Sequence, residues 1–543
     1  MKNKVSIRSG FVIVLATLLF VTILTPIIYG LNTIKVCNIE EEFNDHVWPM
    51  YKHDAQRTGR SPYDTNDNPG VEKWTYYMHI GSWSSIVIDE DGTIYAVSNG
   101  EEVIAIYSDG TEKWEQRLPT PYPHELLLGP DGTIYVGTTR DFYAMYPNNG
   151  SVKWTLDVGG EKVYTSYPVI DSNGTVYVGT ADGYLYAINP DGTIMWEYKI
   201  DGWVSAPAVD KNGNIYFASR NSRVYCLNPN GTLKWRETLT VFDNGPVIGD
   251  DGHIYLGPRT DWTYAFYPNG TEKWRTDIPD SEGMPCIAPN RNIIVPGRHD
   301  FIMALDQSDG NILWKYPLGE NYKRISPSAI SADGTIYFAN CDENIFGQKI
   351  GYLNAVNSDG TLRWRTRLTS EIQPYSTITT NGAPAIGADG TVYVTSAYVR
   401  EGQPAIYGYV HAFGKLDPDA PYETEISGPL KGKKGTEYEY TFKSTSPLGN
   451  DVYYLIFWGD TSVEKWIGPF GSGEEVGVNH SWEKWGKYTI KARAKDTDNL
   501  WGSWGELKVT MPRNKAVLCP LLFRLLDRLP LLKQLFSFQF KFN

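Results

Sequence analysis

Cysteine is scarce in this chain. Five occur in 543 residues (Cys37, Cys226, Cys286, Cys341 and Cys519). None has the CxxC spacing of zinc or thioredoxin-like sites, and no disulfide framework is implied. The eight histidines show neither HxH nor HExxH spacing, which excludes the zinc hydrolase motifs. No GxSxG elbow and no phosphate-binding glycine loop occurs. A basic excess is also missing: 50 Lys and Arg stand against 63 Asp and Glu, a net charge of −13. A nucleic-acid partner needs a basic footprint and is excluded.

Long apolar runs are equally rare, with one exception. Phe11–Tyr29 carries no charge and follows Lys2, Lys4 and Arg8, the pattern of a secretion signal with the rest of the chain outside. Residues 1–30 therefore read as a signal peptide or a retained membrane anchor, and both stay open. Five N-x-[ST] sites (Asn149, Asn173, Asn230, Asn269 and Asn479) are compatible with a surface glycoprotein. The expected location is extracellular or at the cell surface, secreted or membrane-anchored.

What the chain has in abundance is Gly (52), Tyr (37), Pro (33) and Trp (18), a mix for aromatic strands joined by tight turns. Tryptophans recur as Trp74, Trp114, Trp154, Trp196, Trp235, Trp274, Trp314 and Trp364, with a spacing near forty. Within one unit, four strand signals (Tyr167–Ile170, Thr175–Gly179, Tyr184–Ile188 and Thr193–Trp196) are separated by Asn-Gly and Asp-Gly dipeptides. Four antiparallel strands per forty residues make one propeller blade. One aromatic per unit is what neighbouring blades need to bury their shared faces, so these tryptophans read as structural.

Asp131-Gly-Thr-Ile-Tyr135, Tyr186-Ala-Ile-Asn189 and Gly231-Thr-Leu-Lys-Trp235 resemble the pyrroloquinoline-quinone (PQQ) type propeller repeat, over residues 71–414. Inner-strand signals counted from Trp83 through Ala383 give eight blades. The last unit lacks its closing Trp after Phe413, whereas Val71–Tyr77 carries an unmatched Trp74. The expected fold is thus all-β: an eight-bladed propeller in which Val71–Tyr77 supplies the outer strand of the blade ending at Val410–Phe413. Residues 31–70 form a lead-in, where "WPMYKHDAQRTGRS" resembles the segment preceding such propellers on exported proteins. His53 and Asp54 within it, with no nucleophile nearby, read as a hydrogen-bonded brace.

Residues 415–421 read as a linker. Beyond them, Tyr438–Lys443, Val452–Trp458 and Tyr488–Lys495 fit a small immunoglobulin-like β-sandwich over residues 422–512. Trp458-Gly-Asp460, His480-Ser-Trp482 and Ala494-Lys-Asp496 resemble the polycystic-kidney-disease (PKD) type domain, although Thr461 stands where the family motif has a second Gly. That resemblance implies a spacer or adhesive unit. The tail, 513–543, is rich in Leu and Phe but interrupted by charges and Pro530; an amphipathic membrane anchor, packing on the sandwich and disorder all stay open.

The repeat family includes quinoprotein dehydrogenases, so a PQQ-dependent enzyme is the alternative activity. The resemblance implies a vicinal cysteine pair and calcium-binding acids for that site, and this chain has no adjacent cysteines. Asp89–Gly92 and Asp171–Gly174 resemble openings of calcium loops, yet neither reaches a Glu at the twelfth position. No catalytic residue, metal or cofactor is expected. The leading expectation is a non-catalytic surface protein that binds or scaffolds, with a surface polysaccharide, an acidic polymer or an envelope protein as partner. A pure envelope assembly scaffold with no small ligand, like the outer-membrane assembly propellers of this repeat type, is the competitor.

Strand direction sorts the loops. The A–B and C–D turns share one face, acidic at Asp91, Asp131, Asp191, Asp251 and Asp359, and expected to repel anions. The B–C and D–A loops share the other. There Arg140, Arg220, Arg259 and Arg298 align in blades two, four, five and six, beside Trp83, Tyr164, Trp203 and Phe242 of the D–A connections. Guanidinium forks suit carboxylate, sulfate or phosphate, and aromatics suit sugar faces. Local pairing of each Arg with a neighbouring Asp is the alternative.

Overall fold

Each forty-residue unit folds as a small meander, and in most of them the innermost strand is a two-residue piece. In the third, Val169–Ile170, Val176–Gly179, Tyr184–Ile188 and Ile194–Lys199 pair antiparallel in that order. The inner strand has two residues rather than four, and the outer one runs three residues past its Trp. The computed structural model describes residues 46–512, except 83, 99, 121–122, 124, 159–165, 240–243, 258–261, 279–282, 298–300, 319–321, 344–348, 369–377, 380–381, 399–406 and 461. The described residues form strands and no helix. Phe11–Tyr29 and the tail 513–543 lie outside them, and among the described residues no helix is long and apolar enough to cross a membrane.

Eight such sheets follow one another between Val71 and Gly414, two of them with a fifth strand. In the last sheet, Val71–Met78 pairs antiparallel with Tyr407–Gly414, Trp74 opposite Ala412 and Thr75 opposite His411. The unmatched Trp74 therefore takes the place of the Trp missing after Phe413.

The tryptophans share one job. Each indole Nε1 donates to a carbonyl in the outer turn of the next blade. Trp74 reaches Ser108, Trp114 reaches Pro147, Trp154 reaches Pro190 and Trp196 reaches Pro229. Trp235 reaches Pro268, Trp274 reaches Gln307 and Trp314 reaches Ser358. The series ends on Trp364, whose Nε1 reaches Asn68 of the lead-in, the segment that stands in for the turn of the closing blade.

Their burial is less uniform than one shared interblade role suggests. Trp74, Trp114 and Trp274 are buried, whereas Trp154, Trp196, Trp235, Trp314 and Trp364 are only half-buried. Each sits on the outermost strand, which has a neighbouring strand on one side only, so the rim of the ring can stay open to solvent.

Under each indole lies a turn glycine at positive φ, such as Gly231 beneath Trp196 (φ +80) and Gly70 beneath Trp364 (φ +73). A Cβ on Gly231 would sit 2.7 Å from the Trp196 ring. Gly231→Ala combines that clash with a left-handed backbone and is expected to lower stability by about 2 kcal/mol, read as a fall in the denaturation midpoint at unchanged slope.

The lead-in pairs with the inner strands of six blades in order and reaches the other two through side chains. Trp48 exchanges backbone hydrogen bonds with Ile88; Leu128, Val209, Ile248, Ile287 and Ile330 then donate to Pro49, Ala55, Gln56, Thr58 and Gly59. At blade three the contact is Arg57 with the carbonyls of Tyr167 and Pro168, and at blade eight it is Asn68 with that of Gly390. Inner strands otherwise leave N–H groups facing the axis with no partner, a burial cost that this segment removes.

Two further sheets form the sandwich. Glu425–Ser427, Glu437–Lys443 and Val476–Ser481 make one, and Val463–Phe470, Val452–Phe457, Gly486–Asp496 and Gly505–Met511 the other. Their core encloses Tyr440, Trp458 and Trp482. His480 stacks on Trp458 at 4.4 Å and bonds Asp460, whose pKa is lowered by its bonds to His480 and Ser462 against the effect of burial. The sandwich packs against the closing blade. Arg493 is fully buried and donates to the carbonyls of Glu72 and Lys73, and Trp501 joins the propeller core.

Candidate functional site

The outer half of the B–C and D–A face is built from one repeated cross-strand pair. An aromatic in the first half of strand C lies under a cation from the second half of strand D. Lys199 covers Tyr184 at 3.9 Å, Arg275 covers Trp262 at 5.0 Å, Lys315 covers Phe301 at 3.8 Å and Arg365 covers Tyr352 at 3.7 Å. Lys199 stands directly opposite its ring and the other three diagonally, all within reach on one sheet face, and the ring quadrupole attracts the cation. Blade four makes the pair differently, with Arg220 over Trp203 at 3.7 Å. Blades three to seven thus carry stacked cations. Lys199, Arg220, Arg275 and Lys315 are exposed.

The residues singled out from the sequence divide. Arg220 and Trp203 meet as that stacked pair, and Trp203 remains 40% exposed. Arg140 lies 4.0 Å from Asp141 and 3.7 Å from Asp157, the local pairing held as the alternative. Arg259, Arg298, Trp83, Tyr164 and Phe242 lie outside the described residues. The stacked Lys199, Arg275, Lys315 and Arg365 lie on strand D and not in the B–C turn, so the turn arginines do not point to them; the aromatic early in strand C is their signal in the sequence.

The opposite face departs in part from the anion-repelling surface expected of it. Lys113 reaches Asp91 and Lys153 reaches Asp131, each from strand D of the same blade. Asp251 lies beside His253, whereas Asp191 and Asp359 accept from the threonines of their own turns. Two further acids of this face are paired, Asp389 with Lys73 and Asp250 through a two-pronged bond with Arg60 of the lead-in.

On the axis, three charged groups of the described residues are deeply buried. Arg57 donates to the carbonyls of Tyr51, Tyr167, Pro168 and Pro207, and burial lowers its pKa to about 10. Burial lowers that of Lys52. Glu125 accepts from Ser84 at 3.4 Å, and burial holds its carboxyl well above the usual range although Arg57 opposes the shift. Tyr51 and Tyr167 stack beside them at 3.9 Å. His53 and Asp54 stand 3.7 Å apart; Asp54 instead accepts from the backbone and hydroxyl of Thr58, bracing the turn.

A nucleophile–base–acid geometry does occur. Ser396 Oγ lies 2.9 Å from His411 Nε2, and His411 Nδ1 lies 2.9 Å from Glu72 Oε1. All three side chains are buried between the closing strands, with Arg493 of the sandwich over Glu72. A triad must present its hydroxyl to a carbonyl and an oxyanion site, and this one faces protein on every side. It is a polar core of the closing blade.

The residues do not fit a quinone–calcium centre. No two cysteines are adjacent, no three His, Cys, Asp or Glu side chains among the described residues gather where a cation could sit, and the lead-in occupies the inner strands.

A family model described as outer membrane protein assembly factor BamB matches residues 63–228 and 220–406. No curated protein matches the chain significantly. Among solved structures, a europium-containing methanol dehydrogenase is 12% identical with a TM-score of 0.55, covering 68% of this chain and 98% of its own; at that identity the likeness concerns the fold alone. BamB from Moraxella catarrhalis is 16% identical with a TM-score of 0.49, covering 63% and 97%. The PKD domain of an M14-like peptidase from a Thermoplasmatales archaeon is 47% identical over 18% of this chain and all of its own, with a TM-score of 0.17.

Proposed function

The chain belongs to the PQQ-type propeller family described as outer membrane protein assembly factor BamB, and from that premise we propose that it is an exported, non-catalytic binding and scaffold protein of the cell envelope or surface. Its partner is anionic, an acidic polymer or the acidic surface of an envelope protein, and it lies across the B–C and D–A face of blades three to seven. The observation that carries this reading is the run of cations stacked on aromatics on that face, on a chain of net charge −13. Arg275 and Arg365 are also paired, with Glu272 and Asp342, so Lys199, Arg220 and Lys315 carry most of the attraction for an anion against the opposing overall field. Stacking also holds each cation in place, so less side-chain entropy is lost when a carboxylate or sulfate is engaged. The family description favours a protein partner over a free glycan. In this reading the propeller spans 71–414, with the sandwich docked beside it.

Lys199, Arg220 and Lys315 exchanged together for Ala test the reading, with polyglutamate and a sulfated polysaccharide as probes. Wild-type protein is expected to bind with a marked salt dependence, and the triple variant to lose at least tenfold in affinity and most of that dependence. Unchanged affinity in a folded triple variant, or no binding of either probe by the wild type, would sink the proposal.

A further inference from the structure

At blade six the lead-in and the propeller approach each other through an amine and a thiol. Lys52 Nζ lies 2.7 Å from Cys286 Sγ, and both side chains are fully buried. That separation is shorter than the ~2.9 Å common for N–H···O bonds, although sulfur is the larger atom. The other hydrogen-bond partners of Lys52 Nζ are the carbonyls of Met284 at 3.1 Å and Pro285 at 3.0 Å, with no carboxylate among them. A buried ammonium without a paired anion is costly. Burial accordingly lowers the Lys52 pKa, which favours the neutral amine.

The internal repeat provides a control. Cys286 opens the inner strand Cys286–Ile287, where the other blades carry Val87, Leu127, Val169, Ala208, Val247, Ala329 and Ala385. Packing at this position thus needs only an apolar side chain, from Ala to Leu. The thiol occurs in the one blade where Lys52 reaches it. The backbone is shaped around the pair as well. Lys52 itself is at φ +64, and a Cβ on Gly59 would lie 3.0 Å from Cys286 Sγ and 3.3 Å from Lys52 Cδ.

We propose that Lys52 and Cys286 are joined by an oxidative N–O–S bridge, a covalent tie between the lead-in and the sixth blade. The oxidant is dioxygen, small enough to enter a packed core. Amine, thiol and one dioxygen give the bridge and one water. One N–H and the S–H bond break, and N–O and O–S bonds form. Nitrogen and sulfur each give up two electrons, and dioxygen takes all four. One oxygen atom stays in the bridge and the other leaves with a hydrogen from each partner. The bridge replaces a buried amine that could otherwise take up a proton, at the cost of one N–H donor and of the S–H that Cys286 donates to the Ser328 carbonyl at 3.0 Å; the remaining N–H keeps one of the two carbonyls. Thiol reductants reverse the step to amine, thiol and water.

Peptide mapping of the full chain, purified in air without reductant and digested with trypsin under denaturing, thiol-alkylating conditions, tests the bridge. The peptides holding Lys52 and Cys286 are expected as one linked species, one oxygen heavier and two hydrogens lighter than their sum. Trypsin should fail to cut after Lys52, and dithiothreitol should restore both peptides. Cys286→Ser should show no linked species, and its thermal unfolding should be indifferent to dithiothreitol, whereas that of the wild type should shift downward. A wild-type Cys286 that is fully alkylated without reduction, with complete cleavage after Lys52, overturns the proposal.

Discussion

Arg493→Ala is expected to release the sandwich from the propeller. The guanidinium is completely buried, donates to the carbonyls of Glu72 and Lys73, stands 3.8 Å from a Glu72 carboxylate oxygen, and lies over Trp501 and Trp504 at 4.6 and 5.2 Å. Truncation strips two carbonyls of a donor and leaves the Glu72 carboxylate with less positive charge nearby. Removing one member of a buried charged pair costs about 3–5 kcal/mol. The loss falls on the packing between sandwich and closing strand, so calorimetry should show one transition split into two. Protease sensitivity should appear within residues 415–421. Arg493→Lys keeps the charge but lacks the planar fork and reaches one carbonyl at a time, so an intermediate loss is expected. A single unsplit transition at the wild-type temperature in both variants would show that the sandwich does not depend on this contact.

The second large effect is expected at Arg57. Its guanidinium bonds four carbonyls on three elements: Tyr51 within the lead-in, Tyr167 and Pro168 before the third inner strand, and Pro207 before the fourth. Arg57→Met fills the volume but supplies no donor. Each buried carbonyl left unsatisfied costs about 1–3 kcal/mol, and the return of the guanidinium's own desolvation offsets part of the sum. A net loss of roughly 4 kcal/mol is the expected result, measured as a lower denaturant midpoint together with tryptic cleavage at Arg60 under native conditions. A variant as stable and as protease-resistant as wild type would mean that backbone pairing alone holds the lead-in on the axis. The two effects are separable, since Arg57 does not touch the sandwich and Arg493 does not touch the axis.

Much of the fold was legible because a repeat states its needs many times. Trp at a period near forty and Asn-Gly or Asp-Gly between short strands follow from local demands, and the same demand reappears in each blade. The exchange between Trp74 and the missing closing Trp was readable as a gap in that series. How deeply each indole is covered was not: Trp114 and Trp274 are buried while Trp154 is half-buried, at the same place in the repeat. The sandwich is readable only in part: Glu425–Ser427, Val463–Phe470, Val476–Ser481 and Gly505–Met511 give no clear strand signal, since polar outward residues dilute their alternation.

The binding face was less legible. Arg140 and Arg220 hold equivalent turn positions, yet one pairs with carboxylates and the other lies on an indole. That choice depends on which side chain the adjacent strand or D–A loop presents, and position in the turn does not encode it.

The sequence by itself determined the blade: its length, its turns, its interblade aromatic and the strand that completes the last sheet. These are local or periodic properties, set by backbone sterics and the alternation of apolar residues. Only the tertiary structure decided what the aperiodic lead-in does. Arg57, Lys52 and Gly59 find their partners in blades three, four, six and seven, far away in the chain. No pattern within "WPMYKHDAQRTGRS" specifies those distances. Inner strands of successive blades converge on one axis, and the backbone groups they leave there require a partner. The chain's own beginning supplies it, because once the ring of blades forms, the burial cost of those groups selects whatever segment can reach them.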